Sequence, residues 1–325
     1  MPIRVLISGG AGYIGTVLCN YLNDYKINFS IIDNFSTSSP KYLNKKFILY
    51  KGNINNLLVL EKIYKEFRPT HIVHLAASID VNESEINKKK YYKNNVLNSK
   101  KFIDFFIKKN VKNFLFSSTA AVYNSKNNIK SEKYDQRPAN YYGYTKLLIE
   151  NFLLKKKLSN NFEVKILRFF NIIGSDKKLR SGNISKKSKH LFNSLSKSVF
   201  LRKIFKINGN NYYTIDGTCV RDFIDVNDLV KVIIFFIKNK NKNKNNIFNI
   251  GTKRGYSVLE ILKLFKKVLK IDINYRYCQR RTGDAPRLVC DNSLLRKIYR
   301  AKFLSIKTSI RNHYLFYKKN YNFFV

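Results

Sequence analysis

The sequence predicts an α/β fold: a doubly wound parallel sheet with a smaller α/β domain. Three observations predict it. Short apolar runs alternate with amphipathic segments through the first half of the chain. The first run, Val5 to Ser8, breaks into Gly9, Gly12 and Gly15 at three-residue spacing and leads into an amphipathic segment. The second run closes on an acid, Asp33, eighteen residues beyond Gly15. A chain of 325 residues with 44% hydrophobic content has enough apolar surface for a core of this size.

Taken in order, Val5 to Ser8 is too short for a helix and reads as a strand buried on both faces. Gly9 lets the chain turn sharply. Gly12 lets backbone N–H groups approach a pyrophosphate, and Gly15 lets the following helix pack closely on the strand. The positive end of that helix, Tyr13 to Tyr25, then faces the phosphates. Phe29 to Asp33 is a second strand. Its terminal carboxylate stands where it accepts hydrogen bonds from an adenosine ribose and repels a ribose phosphate, which points to NAD rather than NADP. Asp33-Asn34 is also a turn former in its own right. Phe47 to Lys51 is a third strand, followed by a helix ending near Phe67. His71 to Ala77 is a fourth strand ending in small residues. His71 and His74, three apart on a strand, point to opposite faces and are expected to be structural rather than metal ligands.

A polar helix containing Tyr91 to Asn95 leads to a fifth strand, Phe114 to Thr119, whose apolar run ends in hydroxyls. A helix opening at Asn140 and running to about Leu154 follows. Tyr142 and Lys146 are four apart and share a face of that helix, whereas neither Tyr141 nor Tyr144 has a lysine at that offset. A free phenol ionises near pH 10, so use as a base near neutrality requires stabilising the phenolate by about 4 kcal/mol. A neighbouring ammonium and a nicotinamide's positive charge both act in that direction. In a chain rich in Tyr and Lys, such a pair also arises by chance on a solvated face.

In the second half, Glu163 to Arg168 is a sixth strand with Asn171 beyond its carboxyl end. Lys177 to Lys189 is a basic loop able to close over a ligand, Val226 to Ile237 a helix, and Lys238 to Asn246 a solvated Lys/Asn tract. Ile247 to Gly251 is a strand, and Ser257 caps a helix reaching about Leu269. The basic, aromatic tail beyond about Tyr299 carries no reading.

The formal net charge of +41 suggests polyanion binding at first. The charge is mostly lysine spread along the chain together with abundant Asn, Ile, Tyr and Phe, so solvated faces are expected, with no specific nucleic-acid partner. Cys19, Cys219, Cys278 and Cys290 lack metal-ligand spacing, and no metal is expected. The first strand begins within two residues of Met1, and Val232 to Ile237 is too short to span a bilayer. The expected setting is the cytoplasm, without a membrane partner.

These blocks together, among them GGAGYIG (9–15), HLAASIDVNES (74–84), FLFSSTAAVY (114–123), YYGYTKLLIE (141–150), DGTCVRDFIDVNDL (216–229) and RRTGD (280–284), resemble the extended short-chain dehydrogenase/reductase superfamily. More narrowly, they look like its UDP-glucose 4-epimerase (UDP-galactose 4-epimerase) family. The resemblance runs from residue 3 to about 292. It implies a Rossmann domain over residues 1–171, to which segments near 215–250 return, and a nucleotide-sugar domain over 172–325, with the active site between them.

By the same resemblance Tyr142 is the acid/base, Lys146 holds the nicotinamide ribose and lowers the tyrosine pKa, and Thr119 hydrogen-bonds the sugar. Besides the three glycines, Tyr13, Ile14, Asp33, Asn34, Asn53, Ile54, Leu75, Ala76, Ala77, Asn94 and Phe170 line NAD. Asn171, Arg221, Arg281 and Asp284 hold a UDP-sugar, and Leu288 stands where N-acetyl specificity is set. Asn53 replaces the usual acid near the adenine, which weakens one hydrogen bond. Ile79 replaces a common lysine. Leu288 is intermediate in size between the restrictive and the permissive residue, so acceptance of N-acetylated sugars is left open. Dehydratases and decarboxylases of the superfamily carry an acid after Thr119, where this chain has Ala120 and Ala121. The resemblance also implies a homodimer built through the Asn94 and Tyr142 helices. A noncatalytic NAD-binding scaffold is the remaining alternative, and retention of Tyr142, Lys146, Arg221 and Arg281 together argues against it.

Overall fold

A computed structural model describes residues 2–123, 129–159, 162–183, 190–239, 246–280 and 284–321. Arg281, the loop residues 184–189 and the tract residues 240–245 lie outside the described residues. The chain divides into two compact units: Met1–Asn124 with Tyr134–Phe169 and Val230–Phe248, and Ser125–Lys133 with Phe170–Leu229 and Asn249–Val325.

The first unit is built on a seven-stranded sheet. Its strands include β1 (Arg4–Ser8), β2 (Asn28–Asp33), β3 (Ile48–Lys51), β4 (His71–His74) and β5 (Asn113–Thr119). Across the sheet the order is Ile247–Ile250, Glu163–Phe169, β5, β4, β1, β2, β3. β1 pairs in parallel with β2 on one side and β4 on the other. The chain therefore winds outward through β2 and β3, then returns past β1 and winds the other way. The carboxyl ends of β1 and β4 flank the switch point, where connections diverge and leave a crevice.

Helices α1 (Tyr13–Asp24), α2 (Leu57–Phe67), α3 (Val81–Ile86), α4 (Lys88–Tyr91), α5 (Ser99–Lys108) and α6 (Tyr141–Ser159) belong to the unit, as does most of the helix Val226–Lys238, which the sequence placed at Val226 to Ile237. Leu6, Ile72, Phe114 and Ile166 of the sheet form one core with Phe102 and Phe106 of α5 and Ile149 and Leu153 of α6. α2 starts where Asn56 Oδ1 accepts from the N–H groups of Leu58 and Val59 at 3.1 and 3.3 Å.

Three boundaries differ from the sequence reading. β4 stops at His74 rather than Ala77, because Leu75 N still donates to Ser8 O at 3.0 Å but Ala76 then lies against the glycine turn. α6 continues to Ser159, past Leu154, through lysines that solvate the exposed face, with Lys156 bonding Asp104 of α5 at 2.7 Å. The single polar helix expected around Tyr91 is instead α4, a π-helical stretch Tyr92–Asn98, and α5.

His74 is structural, as expected. It is 2% exposed, stacks between Phe102 and Phe116, and bonds Ser8 Oγ through Nδ1 at 2.5 Å and Ser99 Oγ through Nε2 at 3.0 Å. Burial, with help from the Lys146 charge, pushes its imidazole down to about 3. The unfolded chain thus binds this proton first, so the stability associated with neutral His74 is present above about pH 6.5 and is lost as pH falls. In urea titrations, the stability difference between wild type and His74→Gln is expected to shrink by about 1.4 kcal/mol per pH unit below about pH 6. A pH-independent difference would contradict this.

The second unit centres on the strand Val220–Asp225. It pairs in parallel with Asn171–Ile173 and with Arg287–Cys290, and antiparallel with Gly255–Ser257. Ile129–Lys130 extends the sheet beyond Arg287–Cys290. Ser257 caps the helix Val258–Leu269, as expected, in a reciprocal box with Glu260. The tail beyond Tyr299 has a clear role: Ser305 caps a helix, Ile306–Lys319, and the Phe200 ring contacts the rings of Tyr314, Tyr317 and Tyr321. No described helix is long and apolar enough to cross a membrane.

Candidate active site

Gly9 makes the turn after β1 at φ +76, a left-handed conformation that favours glycine. A Cβ there would also stand 2.7 Å from Ala76 N and 2.8 Å from Ala76 Cα, so the turn lies flat against the chain leaving β4. At Gly15 a Cβ would meet Gly9 O at 2.5 Å, which brings the first turn of α1 onto the glycine turn. α1 opens with Gly12 as its N-cap, without a side-chain cap bond and without an acid in its first turn. Its terminal N–H groups are thus presented with positive polarity and no carboxylate competing for them, which fits a pyrophosphate.

Asp33, 7% exposed at the end of β2, locks the adjoining loop. Its Oδ2 accepts from Ala11 N at 2.9 Å, and its Oδ1 accepts from Phe35 N at 2.8 Å and Ser38 Oγ at 2.9 Å. A carboxylate has about four acceptor sites, so capacity remains for a ribose hydroxyl. Asn34 Nδ2 donates to Asn53 Oδ1 at 2.5 Å, which ties together two of the expected adenine-side residues, and Ile54 is buried beside them in sequence. Leu75, Ala76 and Ala77 follow β4, half-buried, beside the turn that carries Tyr13 and Ile14. A dinucleotide therefore meets a fitting cradle: an uncapped helix end, glycines in place of side chains, and an acid with acceptor capacity.

At the other side of the switch point, α6 is fixed at its first turn by two side chains from α3 and by Asn140, the residue before the helix. Tyr141 N donates to Glu85 Oε1 at 2.6 Å, Tyr142 N to Ser84 Oγ at 3.1 Å, and Gly143 N to Asn140 Oδ1 at 2.8 Å. The carboxylate also suits the helix dipole. The Tyr142 phenol faces Thr119 at the end of β5. Lys146 is 3% exposed, donates from Nζ to Ser117 O at 2.7 Å, and lies over the Phe116 ring at 4.8 Å.

Burial pushes the Tyr142 phenol up to about 12, with Thr119 opposing, and burial pulls the Lys146 ammonium down to about 7 while Glu150 pushes it up. Each charged form loses its hydration on burial, so the protein's own side chains leave the phenolate to be stabilised by a bound positive charge.

Asn94 and Asn95 sit in the π-helical stretch, a feature with no distinctive sequence period. Asn94 Nδ2 donates to Ser78 Oγ at 3.1 Å. Asn95, not singled out by sequence, is 3% exposed: its Oδ1 accepts from Ser78 N at 2.8 Å, and its Nδ2 donates to Ser78 O at 3.0 Å and to Thr145 Oγ1 at 3.2 Å. It clamps the chain after β4 to α6 between Tyr142 and Lys146. Asn95→Ala leaves the backbone groups of Ser78 unsatisfied, and chemical denaturation is expected to show a loss of about 2–4 kcal/mol. A loss below about 0.5 kcal/mol would remove Asn95 from this role.

In the second unit, Arg221 Nη1 donates to the carbonyls of Val220 and Ala285 at 2.9 and 2.8 Å, and its Nη2 pairs with Asp284 Oδ1 at 3.2 Å. Leu288 stands in register opposite Arg221 on the neighbouring strand. Asn171 Nδ2 donates to Asp222 O at 3.1 Å. Three of the five expected sugar-nucleotide residues thus lie on adjoining strands, and Asp284 is tied to them through Arg221. Asp222, buried, accepts from Thr252, Lys253 and Cys290 and holds that sheet's loops in place. Phe170 is buried in this unit, its N–H donating to Ile250 O at 3.1 Å. Among the described residues no His/Cys/Asp/Glu cluster has the makings of a metal site.

The doubly wound sheet, the glycine turn at its switch point and the Tyr142/Lys146 helix define a Rossmann-type dinucleotide-binding protein. The model of the NAD dependent epimerase/dehydratase family matches residues 5–251, and the chain belongs to that family. The UDP-glucose 4-epimerase of Lactobacillus helveticus is 34% identical over 299 residues, covering 91% of this chain and 91% of that protein. UDP-arabinose 4-epimerase 1 of Arabidopsis thaliana is 31% identical over 337 residues, covering 98% of this chain and 80% of that protein. The crystal structure of UDP-glucose 4-epimerase from Bifidobacterium longum in complex with NAD+ and UDP superimposes with a TM-score of 0.93 at 30% identity, covering 98% of this chain and 99% of that one.

Proposed function

We propose that the chain is an NAD-dependent UDP-hexose 4-epimerase that interconverts UDP-glucose and UDP-galactose. The observation that carries the reading is the placement of Tyr142, facing Thr119, one helical turn from buried Lys146 in the unit that also presents the uncapped glycine turn. NAD, when bound, supplies reversible hydride acceptance at sugar carbon 4 and a positive charge beside the phenol.

In this reading the Tyr142 phenolate takes the proton from the sugar's 4-hydroxyl in the oxidative half and returns it in the reductive half. Thr119 hydrogen-bonds the same oxygen. Lys146 holds the nicotinamide ribose and supports the phenolate. Asp33 fixes the adenosine ribose. Arg221 and Arg281 hold the pyrophosphate with planar donor forks, and Asn171 and Asp284 orient the nucleotide, so the sugar turns over while its UDP stays anchored. The half-buried Ala121 and buried Ala120 after Thr119 supply no carboxyl for elimination chemistry, which supports epimerisation.

The test is incubation of the NAD-loaded protein with UDP-glucose, UDP-galactose and their N-acetyl forms, followed by product identification. Interconversion of the first pair is expected, and its absence would overturn the reading. Turnover of the N-acetyl pair reports whether Leu288 leaves room for the acetamido group. We further infer a homodimer, supported by Tyr92, Leu97 and Tyr144, which are 37%, 43% and 45% exposed on the Asn94 and Tyr142 helical segments. Light scattering is expected to give twice 38.2 kDa. The four free cysteines support a cytoplasmic setting.

A further inference from the structure

One helical turn beyond Lys146, α6 carries a second buried charge. Glu150 is 1% exposed, and Arg168, on the strand Glu163–Phe169, is fully buried. Arg168 Nε donates to Glu150 Oε1 and Oε2 at 3.1 and 3.2 Å, and Nη2 donates to Oε2 at 2.6 Å. The remaining arm is also used: Nη1 donates to Tyr123 Oη at 2.9 Å, and the guanidinium lies over the Tyr123 ring at 4.9 Å. Ser118 Oγ donates to Glu150 Oε1.

Three successive residues of β5 thus receive three successive turns of α6. Ser117 O accepts from Lys146, Ser118 Oγ bonds Glu150, and Thr119 faces Tyr142. A buried ion pair is costly to desolvate and gains little over apolar packing, so its use here is expected to lie in what it orients.

We propose that the Glu150–Arg168 ion pair is a positioning device for the Tyr142/Lys146 pair, fixing the register of α6 on β5 and holding a carboxylate one helical turn from the Lys146 ammonium. The proposal rests on the reading that Tyr142 and Lys146 carry the reaction. Its electrostatic half follows from the surroundings. Lys146 sits over an aromatic face, where loss of hydration favours the neutral amine. From α6 it is faced by Tyr142 and Glu150, from β4 by His74, kept neutral by burial, and Arg168 stands behind Glu150. β5 offers no ionisable side chain. The carboxylates of α3 are engaged elsewhere, Glu83 with Lys90 and Tyr91, and Glu85 with the N–H of Tyr141. Glu150 is the one group among these that favours the ammonium by its charge. Arg168, in turn, holds Glu150 in place: Nε and Nη2 donate to the carboxylate and Nη1 donates to Tyr123 Oη.

The test compares wild type, Glu150→Gln, and the double variant Glu150→Gln/Arg168→Met, which removes the unpaired buried guanidinium that a single change leaves. The Lys146 signal is followed by NMR in protein carrying ε-13C-labelled lysine, assigned by its loss in Lys146→Arg. In both variants its titration is expected to fall by about one pH unit or more. In NAD-loaded protein, kcat for UDP-galactose is expected to fall about 10–100-fold at pH 8 with KM within about twofold. The alkaline limb moves to lower pH because Lys146 loses its proton sooner. Glu150→Asp is expected to restore part of both signals.

If both variants fold and the Lys146 titration and the alkaline limb stay within about 0.3 pH unit of wild type, the pair is only structural and the proposal is overturned. If wild type turns over no UDP-hexose while the Lys146 titration moves as expected, the positioning role stands and the functional reading fails.

Discussion

Tyr142→Phe is expected to lower UDP-galactose turnover by about 10²–10⁴-fold while leaving NAD affinity within about twofold of wild type. The phenol faces Thr119, and the substitution removes only an oxygen from a side chain whose backbone N–H is held by Ser84 Oγ. Most of the elements proposed to grip the dinucleotide are elsewhere, in the glycine turn and at Asp33. The two effects must therefore separate: turnover collapses, binding stays. Burial holds the phenol up at about 12 and Lys146 down at about 7, so the active protonation pattern, phenolate beside ammonium, is set against the intrinsic preferences of both sites. Stopped-assay rates together with fluorescence titration of NAD decide the matter. Unchanged turnover would sink the assignment of Tyr142, and lost NAD binding would make its role structural.

The second large effect is expected at Gly143→Ala. Gly143 follows Tyr142 directly, and a Cβ there would overlap the carbonyl oxygen of Ala121, with its carbon at 2.8 Å and Pro138 Cβ at 3.2 Å. The obstacle is backbone and cannot rotate aside. α6 must lift away from the turn after β5, and the lift acts on the approach of Tyr142 to Thr119 first. A displacement near 1 Å at a reacting group costs on the order of 10²-fold in rate, and overpacking a tight contact costs about 1–3 kcal/mol of stability. Both are expected together, read as kcat and as the urea midpoint. A Gly143→Ala protein with wild-type kcat would show that the α6–β5 approach does not set the geometry of the pair.

Much of the fold was legible because its signals are local. The runs Val5 to Ser8, Phe29 to Asp33 and Phe114 to Thr119 appear as β1, β2 and β5 within a residue of their expected ends. The Ser257 cap was equally readable, since it needs only Glu260 three residues away. Where the reading failed, the cause was non-local. Nothing in His71 to Ala77 says that Gly9, more than sixty residues earlier, presses on Ala76 and ends the strand. The π-helical stretch exists because Asn95 reaches Ser78 and Thr145, contacts spanning 17 and 50 residues. The tail helix was invisible because its apolar face is defined by what it meets, among them Phe200.

The same division runs through the site. The sequence by itself determined the chemistry available: glycines at a helix start, an acid beyond the next strand, a tyrosine and a lysine on one helical face, arginines in the second half. Those are properties of residue type and spacing, and they survive without coordinates. Only the tertiary structure decided the electrostatics. Burial, which no spacing encodes, raises Tyr142, lowers Lys146 and His74, and buries Glu150 with Arg168. A charge's free energy depends on the water it loses and the partners it gains, and both are fixed only when the β5 strand, the α6 helix and the strand carrying Arg168 come together.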